Sequence, residues 1–510
     1  MSNNLFNTES LLFTPAIPES NAIPIIFAFP NEYSVGITSL GYQVVWATLA
    51  MRSDLQVSRL FTDINEPLPK QAELFGSSLS WELDYVNIFD ILESWEIPIR
   101  AKNRCGKNYP IIFGGGPVFT ANPEPFADFF DVILLGDGEN LLGYFIEADK
   151  EVRGAEKQVQ LKRLSQVPGV YIPSLYEVTY EGTNGAIKSI EPIDKGIPAV
   201  LQKQTYRGNS LSASTVVTEK AAWENIFMVE VVRSCPEMCR FCLASYLTLP
   251  FRSASLEGSL IPAIARGLTV TKRLGLLGAS VTQHPEFESL LDYLSQSKYD
   301  DIRLSIASVR TNTVTEKLAK ILANRDTKSI TIAIESGSDR LRRIINKKLE
   351  NEEIIQAAIN AKAGGLKGIK FYGMVGLPGE ESEDLDATVE MILTLKKAVP
   401  GLRLSLGCST FVPKSHTPFQ WFGVNYHSEK RLKFLEKKLR LKGIDFRPES
   451  YKWSVIQGLI SRGDRRLSHL LELVRNYGDS LGSYKRAFKE LRGKLQELDF
   501  YVFDNWELER

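Results

Sequence analysis

Between residues 20 and 150, short apolar runs alternate with stretches in which apolar residues recur at helical spacing. IPIIFAF, from Ile23, predicts a strand; Gly36 to Met51 predicts a helix; LQVSRLF and ELFGSSL predict the next two strands. WELDYVNIFDILESW, from Trp81, reads as an amphipathic helix. YPIIFGG and DVILL are two more strands, the second followed by GDGEN and another helix. Uniformly apolar strands separated by helices predict an α/β domain whose parallel sheet is covered on both faces. Ligands of such sheets sit at the carboxyl ends of the strands.

The rhythm breaks over residues 151–224. There SLYEVTY and AIKSIEPI flank Asn184-Gly185, a hairpin-turn pair, and the stretch is read as a small connecting region. Alternation resumes at Asn225, with IFMVEVV, LGLLGA, IRLSIA, SITIAIE, GIKFYGMV and LRLSLGC as six candidate strands. Gly364-Gly365 stops one intervening helix, and Ser338 and Asn351 are cap candidates for others. Six strand–helix units over residues 225–425 fit a partial parallel (β/α)6 barrel, whose chemistry is expected on the loops at the carboxyl ends of its strands. Residues 426–510 are helical, charged and Leu-rich, a helical C-terminal region.

Composition narrows the class. With 44% hydrophobic and 24% charged residues, the chain is neither disordered nor a coiled coil, and its 510 residues suffice for a large core without disulfide staples. No apolar run reaches bilayer length, so no membrane insertion is expected. MSNNLFNTES lacks the basic-then-apolar order of a secretory leader. Five cysteines, three of them crowded together, suit a reducing, cytoplasmic setting and a metal site. Charge is unevenly spread: residues 1–150 hold 8 Lys/Arg against 19 Asp/Glu, and residues 430–494 hold 18 against 7. A basic segment can hold a phosphate backbone. Without a base-stacking motif, a solvated helical face or a tail docked on the acidic lobe is favoured over nucleic-acid binding. Within that segment, Arg462, Arg465, Arg466 and His469 of SRGDRRLSH either grip phosphate or form a helix start capped by Asp464 with solvated arginines.

The densest chemistry lies in CPEMCRFC, directly after the first barrel strand. Cys235, Cys239 and Cys242 stand in a C-x3-C-x2-C spacing. Three thiolates in one loop can hold three corners of a cubane iron–sulfur cluster and leave the fourth iron open to a ligand. The alternative is a zinc site completed by a histidine or by Cys408. Only His284, His416, His427 and His469 occur, none near the loop in sequence. Cys408, closing the sixth strand, is either a catalytic thiol or, more often for a lone strand cysteine, a small buried hydrophobe.

This loop, with Phe241 as the aromatic before the last cysteine, resembles that of radical S-adenosylmethionine (SAM) enzymes. The resemblance implies a [4Fe-4S] cluster on Cys235, Cys239 and Cys242. It also implies SAM chelated by the open iron, reductive cleavage to a 5'-deoxyadenosyl radical, and a flavodoxin- or ferredoxin-type electron donor. Ser234 departs from the glycine that many relatives carry before the first cysteine. The same resemblance assigns SAM contacts to Phe241, to Gly278 and Ser280 after the second strand, and to Ser308 and Arg310 after the third. It adds Glu335 at the end of the fourth strand and Gly376 in GMVGLPGE. Glu335 follows a mostly apolar strand, so burial is expected, and a buried charge needs a partner.

The first domain resembles the Rossmann-like cobalamin-binding domain of one large radical SAM branch. Asn31, Tyr33, Gly36, Ser77, Leu79, Gly115 and Gly116 fall at stations where that resemblance places a cobalamin crevice. Tyr33 stands where some cobalamin domains carry a cobalt-binding histidine, and no histidine precedes His284. FGSSLSWELDYVNI, NPEPFADFFDVILLGDGEN and FVPKSHTPFQW resemble an uncharacterised subgroup of that branch. The implied function is a radical SAM enzyme acting on an unreactive carbon, by methyl transfer if cobalamin binds and by oxidation, rearrangement or RNA modification otherwise. A methylthiotransferase is disfavoured, because those relatives carry a second cysteine trio where this lobe has only Cys105. A non-enzymatic iron–sulfur nucleic-acid-binding protein remains the rival class. The substrate is either a small molecule or RNA.

Overall fold

A computed structural model describes residues 5–105, 109–182, 185–307 and 309–491. The chain divides into two compact units. Of the described residues, unit 1 comprises those in 5–207, 215–224 and 459–491, and unit 2 those in 208–214 and 225–458. The helical run after residue 425 is therefore shared: helix Ser428–Arg440 belongs to unit 2, and helices Leu467–Asn476 and Leu481–Leu491 belong to unit 1.

Unit 1 is built on a six-stranded sheet. Its strands are β1 (Ile23–Ala28), β2 (Leu55–Leu60), β3 (Leu74–Ser78), β4 (Ile111–Gly115), β5 (Val132–Leu134) and β6 (Val170–Tyr171). The order is β2-β1-β3-β4-β5-β6, parallel except for the edge strand β6. Five of the six residues of β1 are buried, as in a strand covered on both faces. The helix expected from Gly36 starts at Leu40, where the Ser39 side chain caps it, and a single turn at Tyr33–Gly36 precedes it. The hairpin Tyr176–Tyr180/Ile187–Pro192 forms as expected, although Asn184 of its turn lies outside the described residues. The expected connecting region is not uniform. It contributes β6 to the main sheet, and Val216–Val217 pairs with Ser10–Leu11.

Unit 2 carries the six expected parallel strands. They are β7 (Ile226–Glu230), β8 (Arg273–Leu277), β9 (Arg303–Ile306), β10 (Ser329–Glu335), β11 (Gly368–Val375) and β12 (Arg403–Thr410). A further strand, β13 (Asp445–Pro448), extends the sheet beyond β12. The ladder runs in two arcs, β7-β8-β9 and β10-β11-β12-β13, interrupted between β9 and β10. Ser338 caps helix Asp339–Ile344 as expected. The cap of helix Asn351–Ala363 is Glu350 rather than Asn351, because Glu350 and Glu353 form a reciprocal capping box. No helix among the described residues is long and apolar enough to cross a membrane.

Candidate functional site

The cysteine loop follows β7 and a short ladder, Val232–Arg233 against Arg252–Ser253. Ser234 and Met238 have φ of 72° and 55°, in the left-handed region. The Ser234 hydroxyl donates to the Ser245 carbonyl at 3.2 Å, fastening the loop's entrance to the helix Leu243–Leu247 that follows it. The turn is gripped from two sides. Tyr246 donates its hydroxyl to the Met238 carbonyl at 2.9 Å, and the Asn346 amide donates to the carbonyls of Met238 at 2.8 Å and Glu237 at 3.2 Å. The backbone N–H of Arg240 reaches the Ile345 carbonyl at 2.9 Å. With the Glu237 and Met238 carbonyls held, the loop presents its three thiols on the wall of a cavity of about 180 Å³.

Phe241, Ser280, Arg310 and Glu335 line the same cavity. Glu335 ends β10 at φ 64°, beside a register irregularity. A non-glycine residue in that region costs about 1–3 kcal/mol and persists where the surroundings hold it, commonly at functional sites. The partner demanded by its burial is Lys347, whose Nζ stands 3.1 Å from Glu335 Oε1. Burial opposes the Lys347 charge, but the Glu335 carboxylate and the Cys239 sulfur outweigh it and hold the ammonium above its ordinary pKa. Burial pushes the Cys239 thiol up to about 12, against the pull of Lys347, so Cys239 is a thiol until a metal displaces its proton. Arg310 pairs with Glu237, inside the cysteine loop, at 2.9 Å. Gln283 donates to the other oxygen of Glu237 at 2.6 Å and receives the Ser280 hydroxyl, so the ends of β8 and β9 are tied to the cysteine loop by one polar chain. The Ser245 hydroxyl lines the cavity, is buried, and has no hydrogen-bond partner.

Three of the expected residues lie outside this lining. Gly278, at φ 148°, packs its α-carbon against the Val232 backbone, where a Cβ would stand 2.6 Å from the carbonyl oxygen. Gly376, at φ 76°, donates its N–H to Glu380 at 2.6 Å, and its α-carbon faces Ser428. Burial pushes the Glu380 carboxyl up to about 7, against the pull of Arg431. Cys408 is buried within β12, and burial drives its thiol pKa well up. Ser308 lies outside the described residues. Sequence reasoning missed Lys347, Asn346, Glu237, Gln283 and Ser245.

The thiol donors on the cavity wall are Cys235, Cys239 and Cys242, and no histidine is among its lining residues. His284 uses both ring nitrogens, one against the Ala254 carbonyl at 2.7 Å and one accepting the Glu286 N–H at 3.0 Å. Three sulfurs on one cavity wall suit three corners of a cubane.

In unit 1 the expected crevice residues all lie at the carboxyl ends of β1, β3 and β4, which are neighbours in the sheet. The strand order reverses between β1 and β3, the point at which open α/β sheets take their ligands. The Ser77 hydroxyl at the end of β3 is buried without a hydrogen-bond partner. Asn31 donates to Asp84 at 3.3 Å, and burial pushes the Asp84 carboxyl up to about 6. Other stations are filled by the core. Tyr33 is fully buried, with its hydroxyl donating to Glu9 at 2.8 Å and its ring packed edge-on to Phe6 and Phe61. A Cβ on Gly36 would meet the Phe61 ring at 2.5 Å, and one on Gly116 would meet the Leu79 carbonyl oxygen at 2.6 Å. Leu79 is fully buried, and Gly115 has only ordinary contact with Leu134.

Arg465, Arg466 and Arg475 of the C-terminal segment are paired within unit 1, not solvated. Arg465 bridges to Glu124 at 3.1 Å and donates to the carbonyls of Pro173 and Tyr176, while Arg466 pairs with Asp464 at 2.6 Å and stacks on Tyr180. Arg475 pairs with Asp90 and Glu93. Of the two bland readings, the docked tail describes residues 459–491, whereas Lys433, Arg440 and Arg447, in unit 2, form a solvated face.

A parallel α/β sheet and a partial barrel, with a three-cysteine loop at the carboxyl end of the first barrel strand, define a radical SAM architecture. Comparison agrees. The model for radical SAM proteins, N-terminal, matches residues 41–173, and the model for the radical SAM superfamily matches residues 229–392. The chain belongs to the radical SAM superfamily. An uncharacterized protein of Methanocaldococcus jannaschii is 28% identical over 467 residues, covering 91% of this chain and 94% of that one. An uncharacterized methyltransferase of Pyrococcus horikoshii is 23% identical over 61% of this chain and 65% of its own length. Among solved structures, the radical SAM methyltransferase TsrM from Kitasatospora setae, with cobalamin and a [4Fe-4S] cluster bound, shares the fold. Its TM-score is 0.53 at 13% identity, over 78% of this chain and 74% of that one.

Proposed function

We propose that Cys235, Cys239 and Cys242 hold a [4Fe-4S] cluster at which SAM is reductively cleaved, and that the radical so produced acts on an unreactive carbon of the substrate. The observation that carries this reading is the convergence on one cavity of three thiols with Phe241, Ser280, Arg310 and Glu335, residues from separate strand ends. The cluster, when bound, supplies the electron that splits SAM. The Arg310 guanidinium, which pairs with Glu237 through one nitrogen, has further N–H groups for a carboxylate, and Glu335 offers an acceptor to an ammonium or a ribose hydroxyl. Phe241 packs against an apolar cluster that includes Leu341, Phe411 and Phe419, which backs the cysteine loop.

The finer reading is cobalamin-dependent methyl transfer. It is supported by the unpartnered Ser77 hydroxyl at the reversal of strand order in unit 1. Tyr33 has no part in holding cobalt on this reading, because its hydroxyl is committed to Glu9. Cobalamin, when bound, would carry the methyl group, and Ser77 would offer it a hydrogen bond.

The test is anaerobic reconstitution with iron, sulfide and cobalamin, followed by metal, corrin and product analysis. About four irons per chain and formation of 5'-deoxyadenosine are expected from the wild-type chain, and loss of both from Cys239→Ala. Full cleavage by Cys239→Ala would falsify the cluster assignment. Iron without corrin would leave radical chemistry standing and remove the methyl-transfer reading.

A further inference from the structure

The ion pair between Lys347 and Glu335 lies on the wall that carries the three thiols, and its ammonium interacts electrostatically with Cys239. Neither side chain is free to move away. Glu335 is fixed at the end of β10 in a left-handed conformation. Lys347 follows Asn346, itself at φ 57° and bonded to two carbonyls of the cysteine loop. The segment therefore ties the ammonium to the same turn that presents Cys239. A fixed, largely desolvated charge acts more strongly than a solvated one, because the local dielectric is lower. Three thiolates give a [4Fe-4S]2+ cluster a net charge of minus one, and one electron from the external donor makes it minus two. A neighbouring cation stabilises the second state more than the first, and a neighbouring anion does the reverse.

On the reading that the cysteines hold such a cluster, we infer that Lys347 is a positioning and charge-setting residue. It raises the reduction potential of the cluster, and Glu335 limits that effect by partial neutralisation. Removal of Lys347 leaves the Glu335 carboxylate unopposed beside the sulfurs and makes reduction harder. Removal of the Glu335 charge leaves the ammonium unopposed and makes reduction easier. The two substitutions therefore move the potential in opposite directions, which loss of packing alone does not produce.

The experiment is an EPR-monitored redox titration of the reconstituted full-length chain without SAM, compared at equal iron content for wild type, Lys347→Met, Lys347→Arg and Glu335→Gln. The expected result for Lys347→Met is a reduction equilibrium about tenfold less favourable, about 59 mV lower for a one-electron couple. Lys347→Arg stays close to wild type, and Glu335→Gln shifts upward. Unchanged potentials, or shifts of the same sign in Lys347→Met and Glu335→Gln, overturn the inference. Should Lys347→Met take up no iron, Glu335→Gln decides alone: an upward shift supports the assignment, and its absence ends it. A wild-type chain that takes up no cluster defeats the proposed function itself, an outcome distinct from any of these.

Discussion

The two units apply one rule of α/β architecture, ligands at the carboxyl ends of parallel strands, and arrive at different surfaces. In unit 2 those ends surround a cavity with thiols, an ion pair and an unpartnered hydroxyl on its wall. In unit 1 the corresponding ends are largely filled by the unit's own side chains: Tyr33 under Phe6 and Phe61, Gly36 beneath Phe61 and Phe29, Gly116 against Leu79. Only Ser77 among the crevice residues leaves a buried polar atom without a partner. The lesson is that a glycine after a strand has two physical uses, admitting a ligand or admitting a neighbouring ring, and sequence position alone does not separate them.

The largest effect that sharpens this contrast concerns the segment completing unit 1. Arg465 is mostly buried against Glu124 and also serves Tyr171 and two carbonyls. Arg465→Ala leaves the Glu124 carboxylate buried without its cation, a loss of about 3 kcal/mol. Urea denaturation is expected to show that loss, with RNA affinity unchanged. Unaltered stability together with weakened, salt-sensitive RNA binding would instead restore these arginines as a phosphate grip.

Next in size is Gly36→Ala. Its φ is not in the left-handed region, so the cost is spatial: the new methyl meets the Phe61 and Phe29 rings at 2.5–2.9 Å. Overpacking of this kind costs about 1–3 kcal/mol. Cobalamin uptake by the folded fraction is expected to be unchanged, because Gly36 faces rings rather than a crevice. A stable variant that has lost cobalamin binding would show that the glycine admits a ligand after all.

What the sequence disclosed follows the range of each interaction. Apolar runs such as Ile23–Phe29 and Ser329–Glu335 are local patterns, and their strands form where expected. The cysteine spacing is also local, and its position after β7 follows from the preceding run. The burial of Glu335 implied a partner, but nothing near it in sequence chose Lys347. In INKKLE, Asn346 and Lys347 look like the solvated end of a basic helix. Asn346 grips Met238 from 108 positions away, a contact that only the closed barrel creates. Gln283 reaches Glu237 in the same manner across 46 positions. The charge of the C-terminal segment was plain, but its destination depended on which acidic groups, Glu124, Asp90 and Glu93 among them, the fold brings opposite it.

The smallest effect tests how finely the cysteine loop is set. At φ 72°, Ser234 occupies backbone space that favours glycine, at a cost of about 1–2 kcal/mol for an L-residue. Its hydroxyl returns about 1 kcal/mol through the bond to the Ser245 carbonyl. Ser234→Gly removes the strain and the bond together and adds chain entropy to the unfolded state, so its net change lies within about 1 kcal/mol. Ser234→Ala keeps the strain and loses the bond, so it is expected to be the least stable of the three, by about 1 kcal/mol. Thermal melting should rank alanine below serine and glycine, with iron uptake equal in all three. If alanine melts with serine, the bond to the Ser245 carbonyl contributes nothing, and the serine is a passive occupant rather than the fastening of the loop's entrance to the helix that follows it.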